Sequence, residues 1–167
     1  MMRLLVLLLP VVALLGCFEP ETGPGKVHYD RDTCELCRMM VSDPRFAAQV
    51  RGGPDHKAYV FDDLGDAIHW LIRQPWAKES GAEIWVNDYE HPQQWLNART
   101  AVYLSGVISP MDYGFAAVAG PREGTIGFAE MQAQVIQRGI SSRCAVPLEP
   151  VSEESLPADL VNGKTQP

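Results

Sequence analysis

Cys34–Glu35–Leu36–Cys37–Arg38–Met39–Met40 places two thiols and two thioethers within seven residues. Met1 and Met2 aside, the other methionines are Met111 and Met131. Thiolate and thioether form a soft donor set, and the soft first-row ion that prefers it is Cu(I). A Cys-x-x-Cys pair can also be half of a zinc site, but Cys144 stands alone and no closely spaced His pair accompanies it. It can be a thioredoxin-type redox pair, which needs a strand before it and a helix starting at it. Asp30–Arg31–Asp32–Thr33 is not strand-like. The spacing therefore favours a soft-metal site, and a site built for ligand exchange belongs in accessible loops.

The elements that must position this segment show as hydrophobic pattern. Phe46–Ala47–Ala48–Gln49–Val50 reads as a strand, Gly52–Gly53–Pro54–Asp55 as a turn, and Lys57–Phe61 as a second strand. Leu64, Ala67, Ile68 and Leu71 then fall at i, i+3, i+4 and i+7, one face of a helix. Asp62 or Asp63 can cap its start. The pattern recurs: Phe115–Ala116–Ala117–Val118, a Gly120–Gly124 turn, Thr125–Phe128, and a helix with Phe128, Met131 and Val135 on one stripe, closed by Gly139. Glu83–Tyr89 and Ala101–Leu104 are further strand patterns. The expected fold class is α+β, a tandem pair of small ββα(β) units over 33–98 and 99–146.

Met111 lies in Ser109–Pro110–Met111–Asp112–Tyr113–Gly114, a turn ahead of the second Phe-Ala-Ala strand, as Met39 and Met40 precede the first. Pseudo-twofold packing would let those segments converge. A turn methionine is expected to support little packing, whereas Met131 on a helix stripe reads as core. His28 could fold back as a ligand; His56, His69 and His91 read as surface residues.

The 167 residues carry a net charge of −7 and no Lys/Arg cluster, which argues against nucleic acid as a partner. Leu4–Leu15 is apolar apart from Pro10 and follows Arg3. As a helix it would span only about 18 Å, well short of a bilayer core. It reads as a signal peptide over 1–16. It ends in Leu14–Leu15–Gly16–Cys17, which resembles a bacterial lipobox, with Cys17 the acylated residue and Phe18 carrying no inner-membrane retention signal. The expected location is the cell envelope, lipid-anchored at the outer membrane and facing the periplasm. Residues 17–32, with Pro20, Gly23, Pro24 and Gly25, read as a flexible lipidated tether. Residues 147–167, rich in Pro and acidic side chains, read as a disordered tail.

Cys-x-x-Cys-x-Met, a strand–turn–strand ending in Phe-Asp, and Ser-Pro-Met ahead of a Gly-Phe-Ala strand together resemble the NosL family over roughly residues 30–140. The resemblance implies tandem units akin to organomercurial lyase and one bound Cu(I). Cys37 and Met39, with Met111 from the second unit, would be the first-choice ligands, and Cys34 and Met40 further candidates. No Ser-His-Asp order, Gly-rich phosphate loop or metal-water base stands out in the sequence, which argues against an enzyme. The partners would be nitrous oxide reductase and the machinery that assembles its copper clusters, with the membrane reached through the lipid. The family's usual Cys-Gly-Met carries Arg38 in place of Gly here, which bears on the local turn. Cys34 could pair with Cys144 or serve as a second thiolate; both readings stand. The alternatives are a periplasmic Cys-x-x-Cys oxidoreductase using Cys34 and Cys37, and a general soft-metal-binding lipoprotein.

Overall fold

The computed structural model describes residues 21–79 and 81–144. The signal peptide, Cys17 and the 147–167 tail lie outside the described residues. The fold is α+β, with two small antiparallel sheets and two helices among the described residues.

The first sheet has strands β1 (Ala48–Gly52), β2 (Lys57–Phe61), β3 (Glu83–Asn87) and β4 (Trp95–Asn97) in the order β2-β1-β3-β4. β1 is central and buried at every position. Its β1–β2 hairpin turns through Gly53, whose φ of 76° lies in the left-handed region that glycine adopts without strain. Trp76 packs so closely that a Cβ on Gly52 would come within 2.6 Å of its ring. Helix α1 (Leu64–Leu71) follows β2, and Asp63 caps it by accepting from the Gly65 N–H at 3.0 Å.

The second sheet is β5 (Val102–Ser105), β6 (Phe115–Val118) and β7 (Thr125–Ile126), in the order β6-β5-β7. Here the chain departs from the expected repeat. β6 and β7 do not pair with each other as β1 and β2 do, because β5 lies between them and bonds to both. Helix α2 (Phe128–Arg138) closes at Gly139, where φ is 77°. The two helices pack together, α1 also against β1 and β2, and α2 against β5. One core draws from both units, including Phe61, Ile68, Tyr103, Met131 and Val135.

Two expectations are corrected here. Residues 21–32 do not behave as a loose tether: the Gly23 N–H donates to Glu83 and the Gly25 N–H to Gln49, each at 2.7 Å. Buried Gln49 and Arg51 return bonds to the Gly25 and Gly23 carbonyls, and Asn87 donates to the Tyr29 hydroxyl. Those buried polar strand residues need partners, and the segment supplies them. His69, expected at the surface, is buried beneath α2 with its Nε2 at 3.2 Å from the Val135 carbonyl.

Candidate metal centre

The Cys34–Met40 segment is a tight loop closed at both ends. Cys34 N–H donates to the Met39 carbonyl at 2.8 Å and Arg38 N–H to the Cys34 carbonyl at 3.1 Å, and Thr33 pairs with Met40. Arg38 takes a φ of 64°, in the left-handed region that glycine adopts without strain. Glu35 N–H donates to the Val60 carbonyl and fixes the loop to β2, one residue before Phe61–Asp62.

That attachment brings the thiols to the β2–α1 junction. Cys34 Sγ donates to Asp66 Oδ2 and Cys37 Sγ to Asp62 Oδ1, both at 3.4 Å. One donor atom from each of Cys34, Cys37, Asp62 and Asp66 lies within 4.8 Å of the others, and all four residues are buried. Asp66 Oδ1 is buried without a hydrogen-bond partner. A buried carboxylate oxygen left unpaired is costly, and a cation would satisfy it.

The electrostatics point the same way. Hydrogen bonding to Cys34, then burial, holds the Cys37 thiol well above the ordinary range. Burial raises Asp62 and pushes Asp66 up to about 6. Without a cation these acids hold their protons to higher pH than free ones do, since negative charges crowded into so small a buried volume disfavour one another. A bound cation would reverse that balance, drawing thiolates and carboxylates out together. These four side chains can therefore hold a metal ion, the thiols as soft donors and the carboxylates as hard ones.

The second unit forms a wall of this site. Asp63, between the two cluster carboxylates, is itself buried and pushed up to about 7 by that burial. Its Oδ2 accepts from the Ser109 hydroxyl at 2.6 Å and from the Met111 N–H at 3.2 Å. Tyr113 then stacks on α1 where Gly65 lacks a side chain: a Cβ there would meet the ring at 2.1 Å. Burial, and next the charge of Asp66, raise the Tyr113 hydroxyl far above its usual value.

The candidate ligands separate into three places. Cys34 and Cys37 meet in the cluster, so the accessible-loop expectation fails for the thiols, which are 0% and 3% exposed. Met39 and Met40 are 46% and 54% exposed at the loop surface. Met111 is 1% exposed, in the same core cluster as both cysteines, so the expectation of a turn side chain with little packing is wrong. His28 is tied to Asp32, outside the four-residue cluster. Asp62 and Asp66 were not read as site residues from sequence. Their i, i+4 spacing across the helix start was the available signal, since it puts two carboxylates on one side of the junction.

No curated protein matches the chain. The NosL family model matches residues 27–130, a span that holds Cys34, Cys37, Asp62, Asp66 and the Ser109–Tyr113 turn. On that match over more than half its length, the chain belongs to the NosL family.

Proposed function

We propose that the protein is a Cu(I) carrier which delivers copper for metal-centre assembly of nitrous oxide reductase. The observation that carries the reading is the buried Cys34/Cys37 pair with an unpartnered carboxylate oxygen beside it. Two thiolates hold the ion. The thioethers of Met111 on the inner side, and of Met39 and Met40 at the surface, extend a soft set that Cu(I) prefers. The carboxylates of Asp62 and Asp66 balance the charge and accept hydrogen bonds from thiols awaiting the ion.

The reading extends to acylation of Cys17, anchoring at the outer membrane on the periplasmic side, and hand-over to the copper-cluster assembly machinery. A role as an enzyme is disfavoured. A Cys-x-x-Cys oxidoreductase needs a thiol that ionises readily, and the hydrogen bond to Cys34, with burial behind it, pushes the Cys37 thiol the other way.

The test is competitive titration with Cu(I) and Zn(II) against chelators of known affinity. The expected result is one Cu(I) per chain, retained against a mild chelator and lost in Cys37→Ser, with Zn(II) far weaker. Zn(II) bound as tightly as Cu(I) would show that the carboxylates set the selectivity and would overturn the copper reading. Insulin reduction dependent on both thiols would replace it with the oxidoreductase.

A further inference from the structure

The four cluster side chains are between 0% and 3% exposed, yet an ion they carry has to enter and leave. Part of the wall around them must therefore move. The thiol loop is fixed by its backbone: beyond the bonds already described, the Asp30 N–H donates to the Val41 carbonyl and the Val41 N–H to the Asp32 carbonyl, both at 2.9 Å. Residues 106–114, on the side of the second unit, are held differently. They join β5 to β6 as one loop whose ends meet at the paired Ser105 and Phe115. From that loop Met111 and Tyr113 reach into the core that holds both cysteines. Tyr113 lies over Gly65 and near enough to Asp66 to feel its charge.

The bonds that secure this loop to its neighbours each use a side-chain atom. Inside, Asp63 accepts from the Ser109 hydroxyl and the Met111 N–H. Outside, Arg143 donates to the Pro110 carbonyl at 2.8 Å and pairs with Asp112 at 2.6 Å. Arg138 donates to the Asp112 carbonyl, and the Ser141 N–H to the Tyr113 hydroxyl at 3.1 Å. The Arg143 and Asp112 side chains are 49% and 52% exposed, so water competes for that outer pair. The loop begins and ends on glycine, Gly106 at φ 78° and Gly114 at φ 83°. Such positions absorb backbone rotation that other residues resist, as hinges must. A groove of about 730 Å³ beside them, lined in part by Val107, Asp112, Gln134 and Arg138, leaves the loop space to move.

We propose that residues 106–114 are a lid on the metal cluster, hinged at Gly106 and Gly114 and latched from outside by Arg143. The inference rests on the metal-centre reading above and adds the route by which the ion reaches the thiols. Closed, the lid seals the cluster from water. Open, it breaks both bonds to Asp63 and withdraws Met111, so the movement that uncovers the thiols also removes a soft donor. Access to the ion and the grip on it are thereby coupled. An ion held under such a lid is exchanged only during openings.

The test compares the full chain with Arg143→Ala, and with Arg122→Ala as a control that removes an exposed ion pair to Glu90 instead. The metal-free proteins are labelled with a small thiol reagent, and modification is followed by mass at the peptide that holds Cys34 and Cys37, apart from Cys144. Urea unfolding gives the global stability of each. Losing the outer ion pair and the bond to Pro110 should speed labelling of Cys34 and Cys37 about three- to tenfold in Arg143→Ala, with the control labelled like the parent. Labelling through a local opening runs faster than global unfolding permits and stays flat in dilute urea. Loaded with Cu(I), Arg143→Ala should yield the ion to a chelator faster by a similar factor. Equal labelling of Arg143→Ala and the parent, equal acceleration in the control, or labelling that tracks global unfolding overturns the lid and leaves the metal reading standing. The labelling uses no metal, so it is decided separately from the Cu(I) titration, whose failure would overturn the carrier reading.

Discussion

The Ser109 hydroxyl donates to Asp63 Oδ2 at 2.6 Å, and this bond ties the loop of the second sheet to the residue between the two cluster carboxylates. The bond is buried, and one partner is a carboxyl group. Ser109→Ala leaves Asp63 with one acceptor site unfilled and should lower stability by about 1–3 kcal/mol. Urea unfolding of the two proteins measures it. Cu(I) affinity should fall as well, because Met111 is held by the same oxygen.

Met111 and Met131 are both buried, so packing alone makes them equivalent. Met111→Ala and Met131→Ala should each cost ~2–5 kcal/mol. Only Met111→Ala should also weaken Cu(I) binding, by tenfold or more, which is ~1.4 kcal/mol. Met111→Leu keeps most of the volume and removes the thioether, so it should retain the fold and still lose copper affinity. Unchanged affinity in Met111→Leu would remove Met111 from the ligand set.

The metal-free protein should become less stable as pH rises through the neutral range. Asp63 stands at about 7 and Asp66 at about 6, both raised by burial. An unfolded Asp titrates near ~3.9. Between those values the folded chain binds more protons than the unfolded one. The stabilisation is therefore complete below pH ~4 and is lost as pH climbs through the folded values. Denaturation at pH 5 and pH 8 should differ by on the order of a few kcal/mol, with the lower pH more stable. Asp63→Asn should remove part of that slope.

Arg38 adopts a left-handed backbone at φ 64°. Its ion pair with Glu35 is exposed and contributes little. Arg38→Gly should relieve the conformation and raise stability by about 1 kcal/mol. Thermal melting checks it, and copper affinity should stay the same because the ligands do not change.

Much of this was legible in the residue pattern, for physical reasons. The Phe46 and Phe115 strands, the α1 stripe at Leu64, Ala67, Ile68 and Leu71, and the thiol–thioether loop depend on local spacing, and local spacing is what sequence carries. The pairing of β5 between β6 and β7 depends on contacts between distant segments, and two matching Phe-Ala-Ala strands do not reveal that their neighbours differ. Asp63 looked like a helix cap and is one. Asp62 read only as an alternative cap and Asp66 drew no reading, because nothing local tells that a loop 25 to 32 residues upstream lays thiols on them. Met111 was misjudged on the same ground: a turn is solvent-facing by default, and this one is buried because Asp63 and Gly65 receive it. His69 faces α2 for a comparable reason, since the second helix covers a position that the first helix alone would expose.

The bonds that hold Gly23 and Gly25 to the first sheet bear on where the domain can travel. With a lipid on Cys17, as proposed, only five residues separate the anchor from Gly23, the first backbone group fixed to Glu83 and Arg51. Fully extended, that leash reaches about 20 Å. So anchored, the protein would be moored rather than roaming: it could pivot against the bilayer surface, but its first sheet could not move a full domain's width away. Copper would then change hands within a thin layer of periplasm next to the membrane, and a recipient would have to enter that layer to collect it.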